Sequence, residues 1–146
     1  MTFDLSPKPP RTADAFLELL ARTIFSSGLT WQAVEPRWAN IRGAFDGFSV
    51  RKIAAYGSDD TERIMRTPGM IRNPSKILAV VESAIALAAI RNEHGSVKRW
   101  LDGLSGYEER TTALRRFPYV GRWGAYYVLS VAGYEVPPYE EWKASA

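Results

Sequence analysis

Apolar residues recur along this chain at steps of three and four, with almost no strand-like alternation, so the pattern predicts helices joined by short connections. In the first, over 12–26, Phe16, Leu20 and Thr23 mark one face with Leu19 and Ile24 alongside; Thr12 or Asp14 caps it and Gly28 ends it. Thr30 caps the next, where Val34, Trp38, Ile41 and Phe45 repeat at helical spacing and Pro36 is tolerable only in the first turn or two. Two short helices follow over 49–56 and 58–66, the second opened by an acidic turn.

TPGMIRN reads as a turn by its Pro-Gly pair. Asn73 then caps a long helix whose first position is Pro74, where a missing N–H does no harm. Its buried face is Ile77, Val80, Val81, Ala84, Leu87 and Ala88, and Gly95 terminates it. Segments 96–104 and 105–115 are also helical. The last pattern is FPYVGRWGAYYVLSVAG, in which Ala125, Val128, Leu129 and Ala132 share one helical face. The expected class is all-α. Residues 67–76 and 117–125 share a theme of Pro, a small Gly-containing loop and a helix start, so backbone amides are offered at two places.

Composition narrows the chemistry. The 146 residues suit one domain, expected over 12–146 behind a flexible lead-in at 1–11, with the hairpin at 117–125. With no cysteine and only His94, a thiolate-held cluster, a cysteine zinc site and a disulfide framework are all excluded, and no cofactor or metal is expected. MTFDLSPKPPRT lacks a signal-length apolar run, and the apolar stretch 77–90 is interrupted by Glu82 and too short to span a bilayer. A soluble cytoplasmic protein with no membrane contact follows as the expectation, and no protein partner is assigned.

The net charge of +3 is modest, but its distribution is not even. Arg63, Arg66, Arg72 and Lys76 form one basic group and Arg110, Arg115, Arg116 and Arg122 another, each beside a glycine-containing turn. That is what a phosphate-contacting face needs. Gly121 allows a close backbone approach, and the unpartnered first amides of the following helix can bind a phosphate oxygen, with Arg116 and Arg122 adding charge. A helix–turn–helix that merely packs explains the same residues.

The hairpin FPYVGRWGAYYVLSVAG resembles the helix–hairpin–helix motif of the DNA glycosylase superfamily, with Tyr119 in place of one hairpin glycine. SSGLTWQAVEPRWANIRGAFDGF is similar to the Gly-Leu-Ser-Trp segment of the DNA-3-methyladenine glycosylase I family, and TPGMIRNPSKILAVVESA to that family's Gly-Ile-Ile-Arg-Asn turn and long helix. Together these cover roughly 15–134. The resemblance implies a compact two-lobed helical domain that binds damaged double-stranded DNA, flips a base and releases alkylated purines such as 3-methyladenine.

Residue by residue, the resemblance puts Gly28 and Leu29 at a DNA-facing loop, with Leu29 wedging into the flipped nucleotide's place, and Trp31 stacked on the cationic base. It puts Arg72, Asn73 and Lys76 at the first turn, and Val120, Gly121, Arg122 and Gly124 at the hairpin, against DNA. Thr23 stands where the family carries a functional Glu. Glu18 lies about 140° around the helix from it and is not expected to substitute. The family's zinc site is absent. Glu140 or Glu141 falls where the wider superfamily places an Asp that stabilises developing charge on the sugar. Trp123 replaces the nucleophilic Lys of bifunctional members, so a monofunctional enzyme is implied. The other reading is a DNA-binding protein that has lost its catalysis.

Overall fold

The long helix α6 (Pro74–His94) and the first helix α1 (Ala13–Ser26) form the most extensive helix pair in the computed structural model, which describes residues 4–145. Residues 1–3 of the predicted lead-in and residue 146 of the predicted domain lie outside the described residues. From α1, Phe16, Leu17, Leu20 and Ile24 are buried; from α6, Ile77, Val80, Ala84 and Leu87. Caps set their starts as the sequence predicts. Thr12 Oγ1 accepts from the Ala15 amide at 3.0 Å, and Asn73 Oδ1 accepts from that of Lys76 at 3.1 Å. Gly95, at φ +89°, ends α6 in a conformation that side chains disfavour.

The helix predicted from Thr30 through Phe45 is broken. It becomes α2 (Trp31–Val34), a 3₁₀ turn (Glu35–Arg37) and α3 (Trp38–Ala44). Pro36 is the cause: without an N–H, its ring against the carbonyl four residues back cannot continue an α-helix. The aromatic side chains survive the break and pack together. Trp38 and Phe45 each stack on Phe48 with centroids 5.6 Å apart, anchoring the turn from which α4 (Val50–Ile53) departs.

After α5 (Ser58–Met65) comes the first Pro-Gly turn, then α6, α7 (Val97–Asp102), α8 (Gly106–Leu114), the hairpin and α9 (Arg122–Val131). Helix α9 packs on both α1 and α8. Residues 4–11 carry no helix and run beside α9: the Lys8 amide donates to the Val131 carbonyl at 2.7 Å, and Pro9 fills the space left by Gly133. At the other end α10 (Tyr139–Ala144) buries Trp142 against Tyr126 and Trp123, with ring centroids 4.6 and 5.7 Å away. No strand occurs among the described residues, and none of their helices is long and apolar enough to cross a membrane.

Candidate functional site

The two Gly-containing turns share one geometry. The Met70 amide donates to the Thr67 carbonyl at 3.2 Å and the Val120 amide to that of Phe117 at 3.1 Å, with proline at the second position of each turn. The third position requires positive φ: Gly69 takes +79° and Tyr119 takes +64°. Tyr119 thus occupies a glycine conformation with a full side chain, which costs about 1–2 kcal/mol.

Beside this hairpin an open cleft of about 730 Å³ separates Arg115–Gly124 from Thr23 and Ser26–Leu29 at the end of α1. Leu29 and Tyr119 line it and remain 45% and 42% exposed, large apolar groups presented to solvent on opposite walls. Gly121 caps α9, so that helix begins at the cleft, where its first amides have no intrahelical partner. Arg115 and Arg116 are exposed on the same wall. Gly124 brings the walls together: a Cβ there would lie 3.4 Å from that of Thr23.

Lys76 ties the turns to this cleft from below. The residue is 5% exposed, and its Nζ donates to the carbonyls of Phe25 and Ser27, at 3.2 and 2.5 Å. Burial pulls its pKa below the ordinary lysine value.

A second hollow, of about 850 Å³, lies on the other side of α1, under residues 4–12. Trp31, Glu18, Arg22 and Tyr127 line it. The Arg22 guanidinium carbon lies 5.1 Å from the Trp31 ring centroid and 4.6 Å from that of Trp38. Glu18 is 3.7 Å from Arg22 and 3.4 Å from Arg42, and accepts from Trp38 Nε1 at 2.8 Å. Burial raises the pKa of the Tyr127 hydroxyl, and the Arg22 charge opposes that rise.

A methyladenine glycosylase family model matches residues 8–122, spanning α1, Trp31, both turns and the start of α9. The chain belongs to this family. Among curated relatives, a DNA-3-methyladenine glycosylase 1 of Escherichia coli (strain K12) is 31% identical over 78 residues, 53% of this chain and 42% of that protein. A DNA-3-methyladenine glycosylase of Haemophilus influenzae is 30% identical over 83 residues, 57% of this chain and 45% of its own length. The matched stretch therefore spans less than half of each relative. The fold agrees with 3-methyladenine DNA glycosylase I from Staphylococcus aureus at a TM-score of 0.76 and 21% identity, covering 88% of this chain and 80% of that one.

Within this family fold, the residues singled out from sequence fall into three sets. Thr23, Gly28, Leu29, Val120, Gly121, Arg122 and Gly124 all line the hairpin cleft. Trp31 does not share it with Thr23 but lies in the second hollow, so the pocket expected around both residues is divided by α1. Thr23 Oγ1 is turned back on its own helix, donating to the Leu20 carbonyl at 2.8 Å.

The third set lies away from that cleft, and the guanidinium of Arg122, although the residue lines the cleft, is engaged by α10. Arg72 Nε donates to the Met65 carbonyl at 2.9 Å, Asn73 caps α6, and Lys76 faces inward. Arg63 and Arg110 likewise hold backbone carbonyls, of Ala44 and of Leu101 and Leu104. Arg122 lies with its guanidinium carbon 4.1 Å from the Trp142 ring centroid and donates to the Trp142 carbonyl and to Ser145 Oγ. Glu140 and Glu141 are exposed on α10 and line neither hollow. With Trp142 turned inward, its two predecessors are rotated outward by about 100° and 200°.

Sequence reasoning missed Arg22 altogether and dismissed Glu18. The angle of about 140° between Glu18 and Thr23 was sound, but the Trp31 hollow lies on the Glu18 side. The signal available was the Glu18/Arg22 pair at (i, i+4) spacing. Among the described residues, no group of three or more His, Cys, Asp or Glu could hold a metal ion.

Proposed function

We propose that this chain is a monofunctional DNA glycosylase of base-excision repair, releasing alkylated purines of the 3-methyladenine type from duplex DNA. The observation that carries this reading is the turn that joins the two hollows. Leu29 stands exposed at the hairpin cleft and Trp31, two residues on, lines the neighbouring hollow, so a wedge and a stacking surface share one short connection.

The geometry supports a division of labour. Hairpin amides with Arg115 and Arg116 attract a DNA phosphate, while Leu29 fills the gap left by a flipped nucleotide. The base then lies on Trp31, whose electron-rich face favours a cation. Breaking the glycosidic bond sends its electron pair to the methylated purine, which leaves as a neutral base. Water adds to the sugar carbon and loses a proton, completing hydrolysis without acid assistance to the leaving group. Glu18, the hollow's carboxylate nearest Arg22, is the group placed to offset positive charge on the sugar and base.

Release of free 3-methyladenine from methylated duplex DNA tests the reading. The expectation is release by the wild type, its loss in Trp31→Ala, a fall in Glu18→Gln, and little change in a Glu140→Gln/Glu141→Gln double variant. Salt-dependent DNA binding without release would instead mean a scaffold that has outlived its chemistry. A fall confined to the double variant would return the catalytic role to α10.

A further inference from the structure

The face of Trp31 that a flipped base needs is already covered. The guanidinium of Arg22 lies against it at 5.1 Å and against Trp38 at 4.6 Å, with the Glu18 carboxylate 3.7 Å away. Arg22 is only partly buried and borders a hollow of about 850 Å³, which leaves the guanidinium room to move. A guanidinium is a flat cation of the kind that an indole face attracts. Arg22 therefore has the same physical character as the ligand proposed for this surface.

We infer that Arg22 is a placeholder, which a flipped base must displace from Trp31 before it can stack. This rests on the proposed base pocket and adds to it a threshold for entry. Displacement removes one cation–π contact whatever base arrives. A cationic methylated purine restores a contact of the same kind, whereas a neutral base offers only stacking. Glu18 makes the exchange feasible, since it stays within ion-pair reach of the displaced guanidinium along the same helix. Undamaged bases meet the same threshold with less to offset it.

The test is binding of two small probes to the full chain, followed by tryptophan fluorescence at pH 7. One is 3,9-dimethyladeninium, a purine with a fixed positive charge; the other is 9-methyladenine, its neutral counterpart. Arg22→Ala and Arg22→Gln are compared with wild type after thermal melting has shown each variant to be folded. Displacement predicts that both variants bind both probes tighter, by about 2- to 30-fold, the range spanned by one cation–π contact. Affinity that is unchanged or weaker in both variants overturns the placeholder. A gain confined to the cationic probe also overturns it, because Arg22 would then act by charge repulsion alone. Trp31→Ala separates the two claims. If it abolishes binding while the Arg22 variants behave as wild type, the pocket stands and the placeholder falls. If no variant binds either probe, both fall.

Discussion

The ammonium of Lys76 lies 6.0 Å from the ring centroid of Tyr119, while the same nitrogen holds the carbonyls of Phe25 and Ser27. One buried cation thus joins the start of α6, the end of α1 and the apex of the hairpin. Charge patterning and the family resemblance both assign Lys76 to the DNA surface, and the structure gives it an internal position instead.

Replacing it should loosen the cleft from within. Lys76→Met removes two charge-assisted hydrogen bonds and is expected to lower stability by about 2–4 kcal/mol. It should also weaken DNA binding, since the freed Ser27 carbonyl lies two residues from Leu29. Urea unfolding and a binding titration on the same variant check both halves; a stable Lys76→Met with weaker DNA binding would put the ammonium back at the phosphates.

The twin turns offer an internal control. Gly69→Ala places a Cβ at positive φ and only 2.1 Å from Asn40 Nδ2, so it is expected to destabilise by about 1–3 kcal/mol even after Asn40 swings away. Tyr119→Gly relieves the backbone strain but loosens the unfolded chain, so the two effects should cancel to within about 1 kcal/mol. Paired denaturation curves decide it, and a large loss in Tyr119→Gly would mean that the ring itself holds the hairpin.

If the hairpin cleft carries DNA, its two exposed apolar walls should matter to binding and little to folding. Leu29→Ala and Tyr119→Ala are each expected to leave the melting temperature within a few degrees of wild type and to reduce affinity for duplex DNA, with Leu29 the more damaging to base release. Electrophoretic titration beside a release assay separates the two. Equal effects on single- and double-stranded DNA would argue against a wedge.

Acid should unfasten a different corner. Asp102 accepts from Lys98 at 2.5 Å and from the Tyr134 hydroxyl at 2.6 Å, and these two bonds hold its pKa below the ordinary aspartate value. A carboxyl whose pKa is depressed on folding contributes stability that is present above the unfolded pKa and lost as pH falls through the folded one. Asp102→Asn should therefore be less stable than wild type at pH 7, and the gap should close as pH drops below about 4. Melting curves across that range test the sign; a gap that widens in acid would contradict it.

Much of this was legible in the chain because it was local. The caps at Thr12 and Asn73, the terminator at Gly95 and the twin turns follow from neighbouring residues and appear as read. What escaped was long-range. The second hollow exists because residues 4–12 run beside α9, held by one amide at Lys8, and no periodicity in the sequence announces that approach. Arg72, Arg122 and Lys76 have basic side chains suited to phosphate, yet each found a backbone carbonyl first. At Pro36 the missing N–H outweighs an apolar repeat that persists through the break.

Arg22 and Thr23 are neighbours on α1, yet each opens onto a different hollow. A helix used as a partition wall lets one stripe of side chains drift without disturbing the other. On the proposed function, grip on the nucleic-acid backbone and choice of lesion would be separately adjustable traits, because the wall that Thr23 lines is not the wall that Trp31 lines.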